Sequence, residues 1–152
     1  MEPLIHLDYF LDKALLLKEA DKAKISAAGY TDSRYPNLRL DNWLIGRYNS
    51  QDIQKIINDF DVEGRPRFYW LKPYAVIPTH VDNETKCSIN IILTDEAAPV
   101  TINNKDYNYN TALLNTTLPH SVKNNQHERI MLKISIFNET FEELAARIKF
   151  KR

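Results

Sequence analysis

The chain reads as mainly β with flanking helices, a double-stranded β-helix of the jelly-roll kind, on two observations. Past about residue 66 the apolar residues recur at period two in eight short stretches, most of them separated by turn residues such as Pro, Asn and Asp. Before that point and after residue 137 the spacing lengthens to that of amphipathic helices. Eight short antiparallel strands are enough to close two sheets on each other. The helices are expected to cover the outer face of one sheet.

Taken in order, Leu7, Phe10, Leu11, Ala14, Leu15, Leu17 and Lys18 suit a first helix. It is expected to end near Ala28-Gly29, where glycine takes a left-handed cap. Residues 30–49 read as irregular, since Pro36 forbids a long helix. Ser50 is a suitable N-cap for a second helix with Ile53, Ile56, Ile57 and Phe60 on one side, and Glu63-Gly64-Arg65-Pro66 ends it. The strand candidates are 67–72, 74–80, 87–93, 100–103, 106–110, 112–115, 120–122 and 130–137. Pro73, Asp82-Asn83, Asp95-Glu96, Asn103-Asn104, Pro119 and Asn124-Asn125 are among the turn residues between them. Asn138 or Glu139 starts a last helix through Phe141, Leu144, Ala145 and Ile148. The expectation is one domain over 1–152, with a helical part at 1–65, a jelly-roll core at about 66–137 and a C-terminal helix at 138–152.

Bulk properties narrow the function. The 152 residues are 43% hydrophobic and 11% aromatic, a globular composition. Twenty basic residues balance twenty acidic ones, which argues against a nucleic-acid or anionic-membrane partner held by bulk charge. Arg147, Lys149, Lys151 and Arg152 read as a solvated helix end rather than a binding patch. Cys87 is the single cysteine, so no internal disulfide forms. No apolar run reaches the length of a membrane span, and the first residues lack the basic start and cleavage site of a signal peptide. A cytoplasmic location is expected.

His80-Val81-Asp82, then His120 and Arg129, carry the chemistry. Alternate residues of a strand point to one side, so His80 and Asp82 can grip one metal ion from a strand end, with His120 as a third ligand. Two histidines and a carboxylate are the facial ligand set of non-haem iron(II). Arg129 is a fixed cation able to hold the carboxylate of a co-substrate. His6-Leu7-Asp8 repeats the spacing, but His6 opens a helical pattern and reads as a surface histidine with Asp8 in the first turn. His127, in a polar run, reads as solvated.

Set on this strand map, the stretch resembles the iron(II)- and 2-oxoglutarate-dependent oxygenases, in particular the prolyl and aspartyl/asparaginyl hydroxylase branch. The text that carries the resemblance is Ile77-Pro78-Thr79-His80-Val81-Asp82, Ser88-Ile89-Asn90-Ile91-Ile92-Leu93, Pro119-His120-Ser121-Val122-Lys123-Asn124 and Arg129-Ile130-Met131-Leu132. It spans roughly residues 67–137. The resemblance implies iron(II) on His80, Asp82 and His120, with 2-oxoglutarate as co-substrate and its far carboxylate on Arg129. It also implies oxidation of a C–H bond, most readily hydroxylation of a peptidyl side chain or a small amino-acid-like substrate. The chain departs from the family at Met131, where many members carry a serine or similar polar residue. Lys133, on the same strand face, is the rival carboxylate partner, and Arg129 is preferred for its planar two-pronged donor.

Asn90, Tyr69 and Tyr74 are three further candidates for holding the co-substrate. Ile89, Ile91 and Leu93 are expected to pack beneath the helices, which turns Ser88 and Asn90 into the barrel. Tyr69 and Tyr74 are possible hydroxyl donors to the same ligand. Two alternatives stand beside the oxygenase reading: a cupin-like metal-binding barrel, and a non-catalytic jelly-roll binding module.

Overall fold

The longest strand shows how the alternation works out in space. In the computed structural model of the chain, which describes residues 1–27 and 43–152, the segment Arg129–Ile136 (β10) runs between two partner strands. Ile130, Leu132, Ile134 and Ile136 enter the core beneath the helices. Arg129, Met131 and Lys133 turn to the opposite face and line an internal cavity. One period of two therefore builds a hydrophobic layer and a polar interior at once.

All eight expected strands form, shifted by one to three residues. They are Gly64–Leu71 (β3), Val76–His80 (β4), Cys87–Ile92 (β5), Val100–Ile102 (β6), Lys105–Tyr107 (β7), Thr111–Leu114 (β8), His120–Lys123 (β9) and β10. Two more precede them, Leu4–His6 (β1) and Trp43–Arg47 (β2). The strands make two antiparallel sheets. One has six strands in the order β1-β8-β5-β10-β3-β2, and the other has four in the order β4-β9-β6-β7. Between them lies a core of Trp43, Ile45, Tyr69, Leu71, Ile77, Ile92, Val100, Ile102, Leu114, Val122 and Met131. The mostly β architecture of two facing antiparallel sheets with three helices is the expected jelly roll.

The helices Lys13–Ala27 (α1), Gln51–Phe60 (α2) and Phe141–Arg147 (α3) contribute to a second core on the other face of the six-stranded sheet. Leu16, Ala20, Ala23, Ile53, Ile57, Phe60, Phe141 and Leu144 pack there with Phe68, Trp70, Ile89, Ile91, Leu93 and Leu132. Ser50 caps α2 as expected, its side chain accepting from the Ile53 amide, and Asp61 closes the helix in the left-handed region at φ 56°. Asn103 and Asn104, at φ 49° and 65°, form the two-residue hairpin between β6 and β7. Positive φ at both central residues is the primed-turn geometry that asparagine tolerates.

The N-terminal expectations need correction. α1 starts at Lys13, where the Asp12 carboxylate accepts from the Leu15 amide, and not near Leu7. Phe10 is 96% and Leu15 39% exposed, so the buried stripe is Leu16, Ala20 and Ala23. His6 is not at a helix start. It lies in β1, opposite Ala112 of β8. Among the described residues, the part before Gly64 thus holds two strands as well as helices. A three-residue strand is too short to show a period, and long-range pairing decides it. β2 falls within the stretch read as irregular, while the Ala28-Gly29 cap and Pro36 lie outside the described residues. α3 is capped by Thr140, in a reciprocal capping box with Glu143, and not by Asn138 or Glu139. The basic tail is partly tied down: Arg147 pairs with Glu139, and Lys151 donates to the Ala145 carbonyl.

Gly64 opens β3 opposite Ile136, and a Cβ there would overlap Ile134 Cγ2. Ile134 is fully buried and β-branched, so it has little freedom to move. Gly64→Ala is expected to destabilise the fold by about 1–3 kcal/mol through overpacking. Urea unfolding of the two proteins measures this, and an unchanged midpoint would contradict the close approach.

Candidate metal centre

His80 is the last residue of β4 and His120 the first of β9, and the two are directly paired across the antiparallel ladder. Paired residues project to the same face, and the ring centroids stand 4.2 Å apart. The ladder register shifts between Ile77 and His80. Pro78 sits within that shift and has no amide hydrogen to give the ladder. Such irregularities bend a strand and re-aim the side chain that follows. Asp82 follows two residues on, and its amide donates to the Thr116 carbonyl at 3.0 Å, tying the loop after β4 to the loop before β9.

The three side chains converge. Asp82 Oδ1 lies 3.4 Å from His80 Nε2 and 3.6 Å from His120 Nε2. Each imidazole is fixed from behind, with His80 Nδ1 2.8 Å from the Pro78 carbonyl and His120 Nδ1 2.8 Å from the Leu118 carbonyl. A carbonyl only accepts, so these contacts assign the proton to Nδ1 and turn both Nε2 atoms toward the carboxylate. Burial, reinforced by the Lys133 ammonium, lowers the His120 pKa to about 4 against the opposing contributions of the Leu118 carbonyl and the Asp82 carboxylate. At neutral pH His120 Nε2 is therefore a lone pair facing a carboxylate oxygen. Burial opposes the charge on Asp82, but the Lys133 ammonium at Oδ2 outweighs it, holding the carboxyl well below the usual range. Lone pairs and an anionic oxygen gathered within 4.8 Å fit a divalent cation.

Beyond this cluster the cavity is lined by Trp43, Tyr69, Asn90, Tyr109, Arg129 and Lys133. Lys133 Nζ lies 3.1 Å from Asp82 Oδ2 and 5.7 Å from the centre of the Tyr69 ring. Arg129 is 1% exposed. Its Nε donates to the Ala98 carbonyl at 3.2 Å, its Nη1 points at Met131 Sδ, and its Nη2 has no hydrogen-bond partner among the described residues. A buried guanidinium without a paired carboxylate is unusual, because desolvation of the charge is costly. Asn90 accepts from Ser88 Oγ and donates to Tyr109 Oη at 3.2 Å.

Most of the residues singled out in the sequence thus meet around one cavity: His80, His120, Asn90, Tyr69, Arg129 and the rival Lys133 line it, with Asp82 between the histidines. Tyr74 does not. It is 71% exposed at φ 63°, in the turn where the Ala75 amide donates to the Lys72 carbonyl. Pro73 and a left-handed Tyr74 are the two central residues of a type II turn, which directs the ring to solvent. His127 pairs with Glu96 at the surface. Tyr109, Trp43 and Thr116 at the cavity carry no motif, and only the three-dimensional pairing brings them there.

The buried, neutral His120 makes a pH prediction. In the unfolded chain it regains a pKa near 6.5, so between about pH 4 and 6.5 the unfolded state binds the extra proton. Stability of the metal-free protein is therefore full above pH 6.5 and falls as pH drops toward 4. The loss is roughly 3 kcal/mol at 1.36 kcal/mol per pKa unit. Urea unfolding at pH 7 and 4.5, in chelator, should show a smaller acid loss for His120→Gln than for the wild type. Equal losses would contradict the burial of a neutral ring.

No family model and no curated protein matches the chain. Solved structures do. A Pseudomonas putida prolyl-4-hydroxylase aligns with a TM-score of 0.66 at 12% identity, over 90% of this chain and 93% of that one. The viral collagen prolyl hydroxylase of Paramecium Bursaria Chlorella virus-1, solved as a 2OG complex, gives 0.57 at 13% identity, over 88% and 95%. A salicylate 1,2-dioxygenase from Pseudaminobacter salicylatoxidans gives 0.53 at 14% identity, over 89% of this chain but only 38% of that one. The chain therefore spans less than half the length of that enzyme. At such identities the likeness is one of fold: this chain has the double-stranded β-helix fold found in prolyl hydroxylases and in that dioxygenase.

Proposed function

We propose that the chain is an iron(II)- and 2-oxoglutarate-dependent oxygenase that hydroxylates a peptidyl side chain or a small amino-acid-like substrate. One observation carries the reading: a single cavity presents two histidines and a carboxylate at one place and a fully buried guanidinium at another. His80, Asp82 and His120 would hold the metal from one side, leaving the facing positions to ligands from the cavity. Iron(II) in such a site, when bound with 2-oxoglutarate, supplies activation of oxygen coupled to decarboxylation of the oxo-acid. The protein's own part is binding and orientation. Arg129 offers its Nη2 hydrogens to the far carboxylate, and Asn90, Tyr109 and Tyr69 line the wall between. Arg129 and Lys133 outnumber Asp82 in this interior, and a divalent ion adds to the excess, so a dianionic ligand would offset most of it. The prolyl hydroxylase likeness in fold supports the same reading.

A second reading, a cupin-like metal barrel that uses no oxo-acid, gives Arg129 a structural part through Ala98 and Met131. Co-substrate dependence separates the two. No described helix is long and apolar enough to cross a membrane.

Anaerobic titration with iron(II) and then 2-oxoglutarate is expected to give the visible charge-transfer band of a chelated oxo-acid. His80→Ala should abolish metal uptake. Arg129→Met should keep metal binding and weaken 2-oxoglutarate by roughly ten- to a hundredfold, the loss of one charge-assisted pair of about 1.5–3 kcal/mol. Because it removes a desolvated charge, it should leave the ligand-free melting temperature unchanged or higher. A large drop in melting temperature with unaltered 2-oxoglutarate binding would instead favour the structural part.

A further inference from the structure

Lys133 and Arg129 are both cations facing the cavity, yet they sit four residues apart on β10, roughly 13 Å along a strand. Lys133 is registered opposite Asn90, and its ammonium reaches the carboxylate of Asp82. Asp82 is divided between two neighbours. Oδ1 faces the two Nε2 atoms, and Oδ2 is in ion contact with Lys133. The pair is well buried, with side chains 6% and 12% exposed, so it is weakly screened by solvent. The Lys133 ammonium also stands near the Tyr69 ring, which helps fix its position.

We infer that Lys133 is a positioning residue that makes Asp82 a one-oxygen ligand. With Oδ2 held by the ammonium, the carboxylate can offer the metal Oδ1 alone. An aspartate free to swing would chelate through both oxygens and take up a fourth position. The oxo-acid needs two positions and oxygen a third, so an aspartate held to one oxygen leaves the number the reaction requires. The inference rests on the metal reading above and assigns Lys133 to the metal rather than to the far carboxylate. The ammonium also repels a divalent ion, but its charge is already largely offset by Oδ2. Loss of orientation is therefore expected to outweigh relief of repulsion.

The test uses cobalt(II) as a spectroscopic probe on the whole chain. The wild type should bind one equivalent with a defined visible band. Lys133→Met should bind about ten- to a hundredfold more weakly, the usual effect of removing a group that orients a metal ligand. Its band should be weaker, as a chelating carboxylate raises the coordination number. Lys133→Arg should recover affinity and band together. Unchanged or tighter binding by Lys133→Met with the wild-type band would overturn the inference. Should that variant fail to fold, infrared difference spectra of the wild type, metal-loaded minus metal-free with labelled aspartate, decide instead. A wider carboxylate splitting on loading marks one-oxygen binding, and a narrower one overturns it. Wild-type protein that binds no cobalt(II) overturns the metal reading itself, whereas binding without dependence on Lys133 defeats only the inference.

Discussion

The register of β10 is the constraint on which the rest of this structure depends. The strand is paired on both sides, with β3 and with β5, through all or most of its length. Its even-numbered residues are apolar and seal the sheet against the helices, while three of its odd-numbered residues are Arg129, Met131 and Lys133. A slip of one residue would drive two cations into the helical core and four isoleucine or leucine side chains into the cavity. Hydrophobic burial thus holds the charged groups in place, although they contribute nothing to that burial themselves. A stable layer on one face lets the opposite face carry groups that folding alone would disfavour.

That opposite face is electrostatically incomplete. Asp82 is compensated by Lys133, but among the described residues Arg129 makes only a carbonyl bond and a thioether contact. Met131 offers the guanidinium a thioether rather than a carboxylate or hydroxyl, and the Asn90 amide is turned to Tyr109.

How much of this was legible in the sequence follows from the range of the forces involved. Alternation is local, so eight strands and the inward turn of Asn90 could be read directly, as could Ser50 and the Asn103-Asn104 hairpin. The convergence of His80 and His120 needed only the right strand order. β1 and β2 exist because distant partners accept them: Leu4 against Leu114, and Trp43 against Leu71. The Tyr74 assignment failed because Pro73 sets a turn one residue before the alternation resumes. The ion pair between Lys133 and Asp82, fifty-one positions apart, is a tertiary fact with no local signature.

Pro78 has an effect beyond aiming His80. Among the described strands, β4 is an edge of the four-stranded sheet, and edges invite the backbone of another chain to add to them. Val76 and Val81 leave apolar surface exposed beside it. A proline in an edge strand offers no amide to a newcomer and breaks the continuity of the ladder. The same imino acid that shapes the histidine's approach therefore makes this edge a poorer template for the backbone of another chain.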